Sequence, residues 1–493
     1  MFERESSIHP HVIDAAQKFS ERGGRALLVG GGIRDIITGK APKDFDIEVY
    51  NLEPVDVEDV ASGFGKIKEV GKSFGILKVA LGDGFDLDIS LPRTDSKSGE
   101  GHKGFEVKVD PYMSISDAAL RRDFTINSLA FDPLTGEVID PHGGVKDIQD
   151  KILKVTDKKT FGDDPLRVMR ALQFAGRFNL VVEQESFDLM SEMVLRHEFS
   201  ELPKERLLEE WKKLLLKSER PSKGLSLGME LGMFHVLHPE FVALLNTPQD
   251  GKWHPEGDVW THTLMAVDQA ARIAKTEELS ESDSFTLLLA TLCHDLGKPL
   301  TSEEQEDGSI TARGHDEKGV VIAQKFLERL GVDNDTSEKV KKLVENHMWA
   351  HMNFGDVARG REAGDGAFRK LSVKLSPATI TELALLSKAD GLGTGHYGSL
   401  EDLQFEDSHP ETEWLLARAS NLGITEKKAS DIIMGRDLIA AGFKPGKQFG
   451  MITNLSNSLR DEKGYTQEQL FLAIKASSSL EEIITDFSLK LSN

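Results

Sequence analysis

Two aspartates, Asp44 and Asp46, stand one residue apart in Lys43-Asp44-Phe45-Asp46-Ile47-Glu48-Val49, a short way downstream of Gly30-Gly31-Gly32-Ile33-Arg34-Asp35. Alternation of acidic and apolar residues predicts a strand, so both carboxylates share one face while Phe45, Ile47 and Val49 face a core. A glycine turn feeding a helix start offers free backbone N–H groups and the positive end of the helix dipole, which suits a phosphate. Mg²⁺ prefers oxygen ligands and is held by one or two carboxylates together with substrate phosphates. Cradle and carboxylates together fit metal-dependent nucleotidyl transfer. A D-x-D by itself is usually a solvated strand face; the glycine turn and Arg34-Asp35 favour the site. Dinucleotide G-x-G-x-x-G spacing is absent.

Further pieces of the same chemistry follow. Phe85-Asp86-Leu87-Asp88-Ile89-Ser90-Leu91 alternates again. If that strand lies beside the first, Asp86 or Asp88 would complete a two-metal site. Arg121 and Arg122 suit a triphosphate or ribose phosphate, because guanidinium groups bind phosphate oxygens bidentately. Asp123 and Asn127, at i and i+4, are expected to share a helix face. In Gly162-Asp163-Asp164-Pro165-Leu166-Arg167-Val168-Met169-Arg170, Pro165 suits a helix first turn. Arg167, Arg170 and Arg177 then fall close to one face. With Asp164 as acceptor and Arg167 as donor, the pair matches the Watson–Crick edges of C and A and rejects U and G. A salt bridge capping the helix is the plainer account of the same residues.

A second constellation comprises His262, His294-Asp295, His315, His347 and Asp390. An adjacent His-Asp at the end of an apolar helix (Leu287 to Cys293) is odd for a core, because an ionised Asp is rarely buried unpaired. Metal ligation accounts for it. Imidazole with carboxylate suits transition metals such as Mn²⁺, Ni²⁺ or Co²⁺, with room for an activated water. His254 and His351 are expected to be bystanders, and Cys293 a small apolar residue.

The elements that must position these groups fall into two regimes. From Arg25 to about Gly144 strands and helices alternate, and Pro133-Leu134-Thr135-Gly136 marks a hairpin turn. Arg93 to Val109 reads as a loop. Beyond Gly144 the pattern is helical, with breaks near 246–258, 300–314 and 391–410. At 493 residues the chain exceeds what one hydrophobic core serves. Apolar content of 39% and charged content of 29% are those of a globular protein, and no apolar stretch is long enough for a bilayer. A single cysteine excludes an intrachain disulfide and fits a reducing compartment, so a cytoplasmic location is expected. The net charge of −22 argues against binding nucleic acid through overall charge. Any RNA must meet local clusters, for which Arg167, Arg170, Arg177, Arg206, Lys212 and Lys213 are available.

Leu28 to Asp35, Lys43 to Asp46, Arg93 to Lys97, Arg121 to Leu129, Asp140 to Asp147 and Asp163 to Arg170 together resemble the bacterial class II tRNA nucleotidyltransferases, the CCA-adding enzymes and poly(A) polymerases. The His and Asp order, with Trp253 to Met265 and Leu292 to Lys298, resembles the HD-domain phosphohydrolases fused to some of those enzymes. The resemblance implies an α+β chain: a polymerase-beta-like mixed-sheet head (1–150), a helical neck (151–225), an HD domain (226–400) and a helical RNA-binding tail (401–493). It implies Asp44, Asp46 and Asp88 as catalytic acids with Mg²⁺, and Gly31, Gly32, Arg34, Arg121, Arg122, Asp123, Asn127, Asp164, Arg167 and Arg170 around CTP or ATP. Asp164 and Arg167 would select the base, and the Arg93–Val109 loop would let the pocket switch between C and A. The tRNA 3′ end is the implied acceptor. Phosphatase and 2′,3′-cyclic phosphodiesterase activity is implied at the HD site, with Mn²⁺ or Ni²⁺ on its His and Asp set. Two positions depart from the pattern: Asp163 stands where Glu is usual, and Ser128 where Ala is usual. An A-only transferase, or an HD hydrolase with a nucleotide-sensing head, would share many of these motifs.

Overall fold

Alternate burial along β1 (Arg25–Val29) shows how the head is built. Ala26 and Leu28 join one apolar cluster, Leu27 and Val29 another, so both faces of the strand are covered. The computed structural model describes residues 8–39, 42, 45–68, 76–81, 86–97, 105–197, 202–357, 359–394 and 409–492. These residues divide into two compact units, Met1–Leu237 and His238–Asn493.

In the first unit β1 lies antiparallel to β2 (Asp46–Tyr50). Then follow β3 (Lys66–Lys68), β4 (Ile76–Ala80) and β5 (Asp86–Ser90). A separate antiparallel hairpin is made by β6 (Arg93–Lys97) and β7 (Phe105–Val109). The main sheet closes with β8 (Ala130–Phe131) and β9 (Val138–Ile139), in the order β3-β4-β5-β2-β1-β8-β9. Helix α1 (Pro10–Glu21) buries Val12, Ala15, Ala16 and Phe19 in the cluster that holds Leu28, Ile47, Val49 and Ile89. Between β1 and β2 runs the short helix α2 (Gly31–Ile37). Beyond the sheet lie α3 (Leu166–Phe178) and α4 (Lys204–Lys217).

Two local expectations need correction. Arg93 to Val109 is a β-hairpin at both ends, where alternation outweighs its glycines; its tip, 98–104, lies outside the described residues. The 300–314 break holds a short hairpin, Ser302–Glu304 with Ile310–Ala312.

The second unit is helical. Its elements include α5 (Val259–Thr276), α6 (Glu281–Cys293), α7 (His315–Leu330), α8 (Asn334–Asn346), α9 (Met348–Val357), α10 (Ile380–Leu392) and α11 (Pro410–Asn421). Helix α6 buries ten consecutive residues, Ser284 to Cys293, which makes it the central element of this unit. A smaller apolar cluster around Ile452, Leu470, Ile474 and Phe487 organises the C-terminal helices. Among the described residues no helix is long and apolar enough to cross a membrane.

Gly297 marks the tightest crossing near the His-Asp pair. A Cβ there would lie 2.0 Å from the His315 carbonyl oxygen, so the turn after Asp295 and the start of α7 touch through backbone. Gly297→Ala is expected to destabilise the protein by about 1–3 kcal/mol, as overpacking does; chemical denaturation measures it.

Candidate functional site: a cationic nucleotide cleft and a histidine–aspartate centre

Parallel pairing of β2 with β5 sets Asp46 opposite Asp88 and Ile47 opposite Ile89. Of the two acids on β5, Asp86 is engaged elsewhere: Lys68 lies 3.1 Å away and Lys78 3.7 Å. Asp88 is 3.6 Å from Lys78, and one of its oxygens is buried without a hydrogen-bond partner. Asp44 lies outside the described residues. Asp46 and Asp88 are thus the described carboxylates able to hold Mg²⁺, and oxygen donors of this kind fit that ion. Gly30, at φ +79°, closes the turn beside them; a Cβ there would sit 3.2 Å from Asp46 Oδ2. Gly31 lines the cleft with Gly30. Gly32, expected to do the same, is instead buried in the inward face of α2.

Glu48 shares the polar face of β2 with Asp46, and sequence reasoning missed it. Only 1% exposed, it accepts hydrogen bonds from Tyr50 Oη at 2.6 Å, Arg121 at 2.5 Å and Arg122 at 3.3 Å. Burial pushes its pKa up, but Arg122 and Arg121 outweigh burial and the net direction is down. The sequence signal was present in the period of two that singled out Asp46.

Asp123 and Asn127 meet, though not on a helix. Thr125 N donates to the Lys154 carbonyl and Phe124 bridges to Val155, so a single 3₁₀ turn (Thr125–Asn127) replaces the expected helix. Asn127 then joins two charges. Its Oδ1 accepts from Arg34 at 2.7 Å, and its Nδ2 donates to Asp123 at 2.9 Å. Asp123 also accepts from Arg170 Nε at 2.6 Å. The Arg34 guanidinium lies 4.2 Å from the centre of the Phe178 ring.

Asp164 and Arg167 are each fixed by other groups. Asp164 accepts from Arg206 at 2.8 Å and from the Leu166 N–H at 3.1 Å. Arg167 donates to the main-chain carbonyls of Thr160 and Arg121, both at 2.6 Å. Those carbonyls set its geometry, while Asp164 and Asp163 act on it electrostatically.

Gly30, Gly31, Arg34, Asp46, Asp88, Arg121, Arg122, Asp123, Asn127, Asp164, Arg167 and Arg170 border one cleft of about 680 Å³. Its wall carries Arg34, Arg93, Arg121, Arg122, Arg167, Arg170, Arg177, Arg206 and Lys213, nine cations, against the four carboxylates Asp46, Asp88, Asp123 and Asp164. Arg177, Arg206 and Lys213, expected as RNA contacts, also line this cleft. Such an excess of guanidinium suits a polyphosphate.

In the second unit His262, His294, Asp295, His315, His347 and Asp390 come together. His262 Nε2 is 3.2 Å from His294 Nε2 and 3.0 Å from Asp390 Oδ1. His315 Nε2 is 3.0 Å from His347 Nε2. Asp295 lies between the pairs, 3.2 Å from His294 through Oδ2 and 3.4 Å from His315 through Oδ1. Every imidazole is oriented by a partner behind it. The Nδ1 atoms of His262, His294, His315 and His347 face Glu256 and the carbonyls of Thr291, Ala312 and Val344, at 2.6–2.9 Å. Carbonyl and carboxylate oxygens accept, so each Nδ1 is the donor and the Nε2 lone pairs turn inward.

Lone pairs about 3 Å apart repel unless a proton or a cation lies between them. Asp295 is buried among His294, His315 and Lys298, and Lys298 Nζ at 2.7 Å supplies part of the positive charge its carboxylate requires. The donor set suits a transition ion. With protons alone, burial lowers the His262 pKa, but Asp390 and Glu256 outweigh this and hold it at about 9. His347 is pushed down to about 4 by burial and by His315 and His294. Cys293 is buried and stands apart from the ligand set.

A mixed-sheet head with paired acids in a cationic cleft, followed by a helical unit with an HD-type centre, is the architecture of a fused nucleotidyltransferase. Residues 26–154 match the poly A polymerase head domain, 179–245 the "Probable RNA and SrmB- binding site of polymerase A", and 259–392 the HD domain. Multifunctional CCA proteins from two strains of Xanthomonas campestris pv. campestris are 35% identical over 377 residues, which is 75% of this chain and 85% of theirs. The chain belongs to the multifunctional CCA protein family, the CCA-adding tRNA nucleotidyltransferases. Solved structures share its fold. The Bacillus stearothermophilus CCA-adding enzyme in complex with CTP has a TM-score of 0.62 at 19% identity, covering 95% of this chain and 97% of that one. The Thermotoga maritima CCA-adding enzyme complexed with tRNA has 0.58 at 18%, covering 99% and 97%.

Glu48→Ala leaves two arginines facing an empty interior. The expected loss is about 3–5 kcal/mol, the scale for breaking a buried ion pair from one side, and urea denaturation measures it. For the His-Asp centre, Mn²⁺ or Ni²⁺ at 100 times Kd is expected to stabilise metal-stripped protein by about 2.7 kcal/mol. Calorimetry should show the rise in Tm in the native chain and not in Asp295→Asn.

Proposed function

We propose that the head completes CCA on tRNA 3′ ends from CTP and ATP, and that the HD site hydrolyses phosphoesters, including 2′,3′-cyclic phosphates at RNA ends. One observation carries the first half: nine cations gathered around the Asp46–Asp88 pair in a protein of net charge −22. Relatives of the same fold solved with CTP and with tRNA support it. The chain is read as head, neck, HD domain and tail, working in the cytoplasm.

Asp46 and Asp88, with Asp44, would hold Mg²⁺. That ion would activate the 3′ hydroxyl and neutralise charge at the α-phosphate as pyrophosphate leaves. Arginines of the cleft hold the triphosphate in line, and positioning with electrostatics supplies most of the rate. Arg167, tethered by two carbonyls, and Asp164, tethered by Arg206, form a fixed donor and acceptor for the base edge. Cytosine and adenine satisfy both; uracil and guanine leave both unpaired. In the second unit the four histidines with Asp295 and Asp390 would hold Mn²⁺ or Ni²⁺, which would activate water for attack on phosphorus.

Transcripts of tRNA ending before the two cytidines, and after them, test the reading with CTP or ATP alone. Two cytidylates on the first and one adenylate on the second are expected. Extension of the second substrate only would make the enzyme an A-only transferase. Asp46→Ala should lower transfer by at least about 10²-fold, the scale of losing one electrostatic group, and spare cyclic-phosphate hydrolysis; Asp295→Asn should do the reverse. Loss of both activities in one folded variant would refute two independent sites.

A further inference from the structure

His351 lies four residues beyond the ligand His347, in the first turn of α9, where the charge of the ligand Asp390 reaches it. Ser387 precedes Asp390 by one turn on α10. Glu411, on α11, connects them. Ser387 Oγ donates to Glu411 Oε1 at 2.5 Å, and Glu411 Oε2 is 3.3 Å from His351 Nδ1. Glu411 is 8% exposed, whereas the His351 side chain is 64% exposed. The ring is thus gripped through Nδ1 and offers Nε2 outward, beside two elements that carry ligands.

Hydrolysis of a ribose cyclic phosphate needs such a group. The leaving atom is a ribose oxygen, a poor leaving group unless it is protonated as it departs. The four ligand histidines have no proton to give, because their Nδ1 atoms face fixed acceptors and their Nε2 atoms face the centre. Lys298 is buried against Asp295 and Gln249. His254 is engaged through Nδ1 with Glu256, the carboxylate that also orients His262.

We propose that His351, oriented by the Ser387–Glu411 pair, is the general acid of the HD site. This rests on the hydrolase reading above. Water adds to phosphorus and one ribose P–O bond breaks. The departing oxygen takes the Nε2 proton of His351, and the attacking water releases a proton to solvent, which later reprotonates the ring. The surrounding charges are consistent. The Glu411 hydrogen bond raises the His351 pKa against burial, and the charges of Glu411 and Asp390 add to it. His409, at the start of α11, is lowered by burial; Glu411, Asp390, Lys388 and His351 act on it.

The test uses the full chain loaded with Mn²⁺ or Ni²⁺ and two substrates. Adenosine 2′,3′-cyclic phosphate expels an alkoxide, whereas bis(p-nitrophenyl) phosphate expels a phenolate that leaves without a proton. His351→Gln is expected to lower kcat on the cyclic phosphate by about 10²-fold and to leave the nitrophenyl ester nearly unchanged. In the native enzyme, kcat on the cyclic phosphate should fall as pH rises through the His351 pKa. That limb should vanish in His351→Gln and move to lower pH in Glu411→Gln, where the carboxylate no longer favours the charged ring. Equal losses on both substrates, or none on either, overturn the assignment. Should His351→Gln fail to fold, the Glu411→Gln pH profile decides. A native enzyme that cleaves neither substrate overturns the hydrolase reading, and the general acid with it.

Discussion

Glu48 is the buried charge on which the head depends. It lies two residues from Asp46 on the same face of β2, beneath Arg121 and Arg122 and in contact with Tyr50. Removing a carboxylate from water costs several kcal/mol, and only close, hydrogen-bonded partners offset that. Arg121 and Arg122 line the cleft, so the same contact that makes Glu48 tolerable also fixes two guanidinium groups at the cleft wall. Arg122 passes the order on through the Asn127 carbonyl at 3.1 Å. Asn127 in turn orients Arg34 and Asp123, and Asp123 orients Arg170. Rigid cations of this sort are what a triphosphate needs, because a side chain already held in place loses little entropy on binding.

The two units meet opposite electrostatic problems with one device, a buried group set by a neighbour behind it. Cations exceed carboxylates in the cleft, and an anionic substrate relieves their mutual repulsion. In the HD centre four imidazole Nε2 atoms and two carboxylates converge, a donor set that favours a cation. Protons fill that need unevenly, since His262 titrates at about 9 and His347 at about 4. One imidazole takes the proton and its neighbours are denied it. A divalent ion bound there must displace the His262 proton, which makes uptake pH-dependent.

How much of this could be read from the chain depends on the range of the interaction. The period of two in Asp46-Ile47-Glu48-Val49 and in Asp86-Leu87-Asp88-Ile89 is local, and it marked both strands and their polar faces. That Asp88 rather than Asp86 lies opposite Asp46 is a matter of register, and only pairing settles register. Helix spacing failed at Asp123–Asn127, because the Phe124–Val155 bridge and the Lys154 carbonyl claim the backbone from elsewhere in the chain. That Arg177, Arg206 and Lys213 also line the cleft of the head was not legible, because composition shows a charge and not the direction it faces. The contact of His351 with Glu411 spans sixty positions and lies likewise beyond the reach of local spacing.

Arg121 makes the head's parts interdependent in a way that pairwise inventories miss. Its side chain binds Glu48 on the strand that carries Asp46, while its main-chain oxygen accepts from Arg167, the proposed reader of the base. The strand of the proposed metal-binding acid and the proposed reader of the base are therefore joined through one residue. An ångström of drift at a reacting centre can cost about 10²-fold in rate. A base that fails to engage Arg167 gains nothing from this linkage. One that engages it would bind against a guanidinium whose position is set by the same residue that abuts β2, so on the proposed reading selection of the base and placement of its phosphates would draw on one set of contacts.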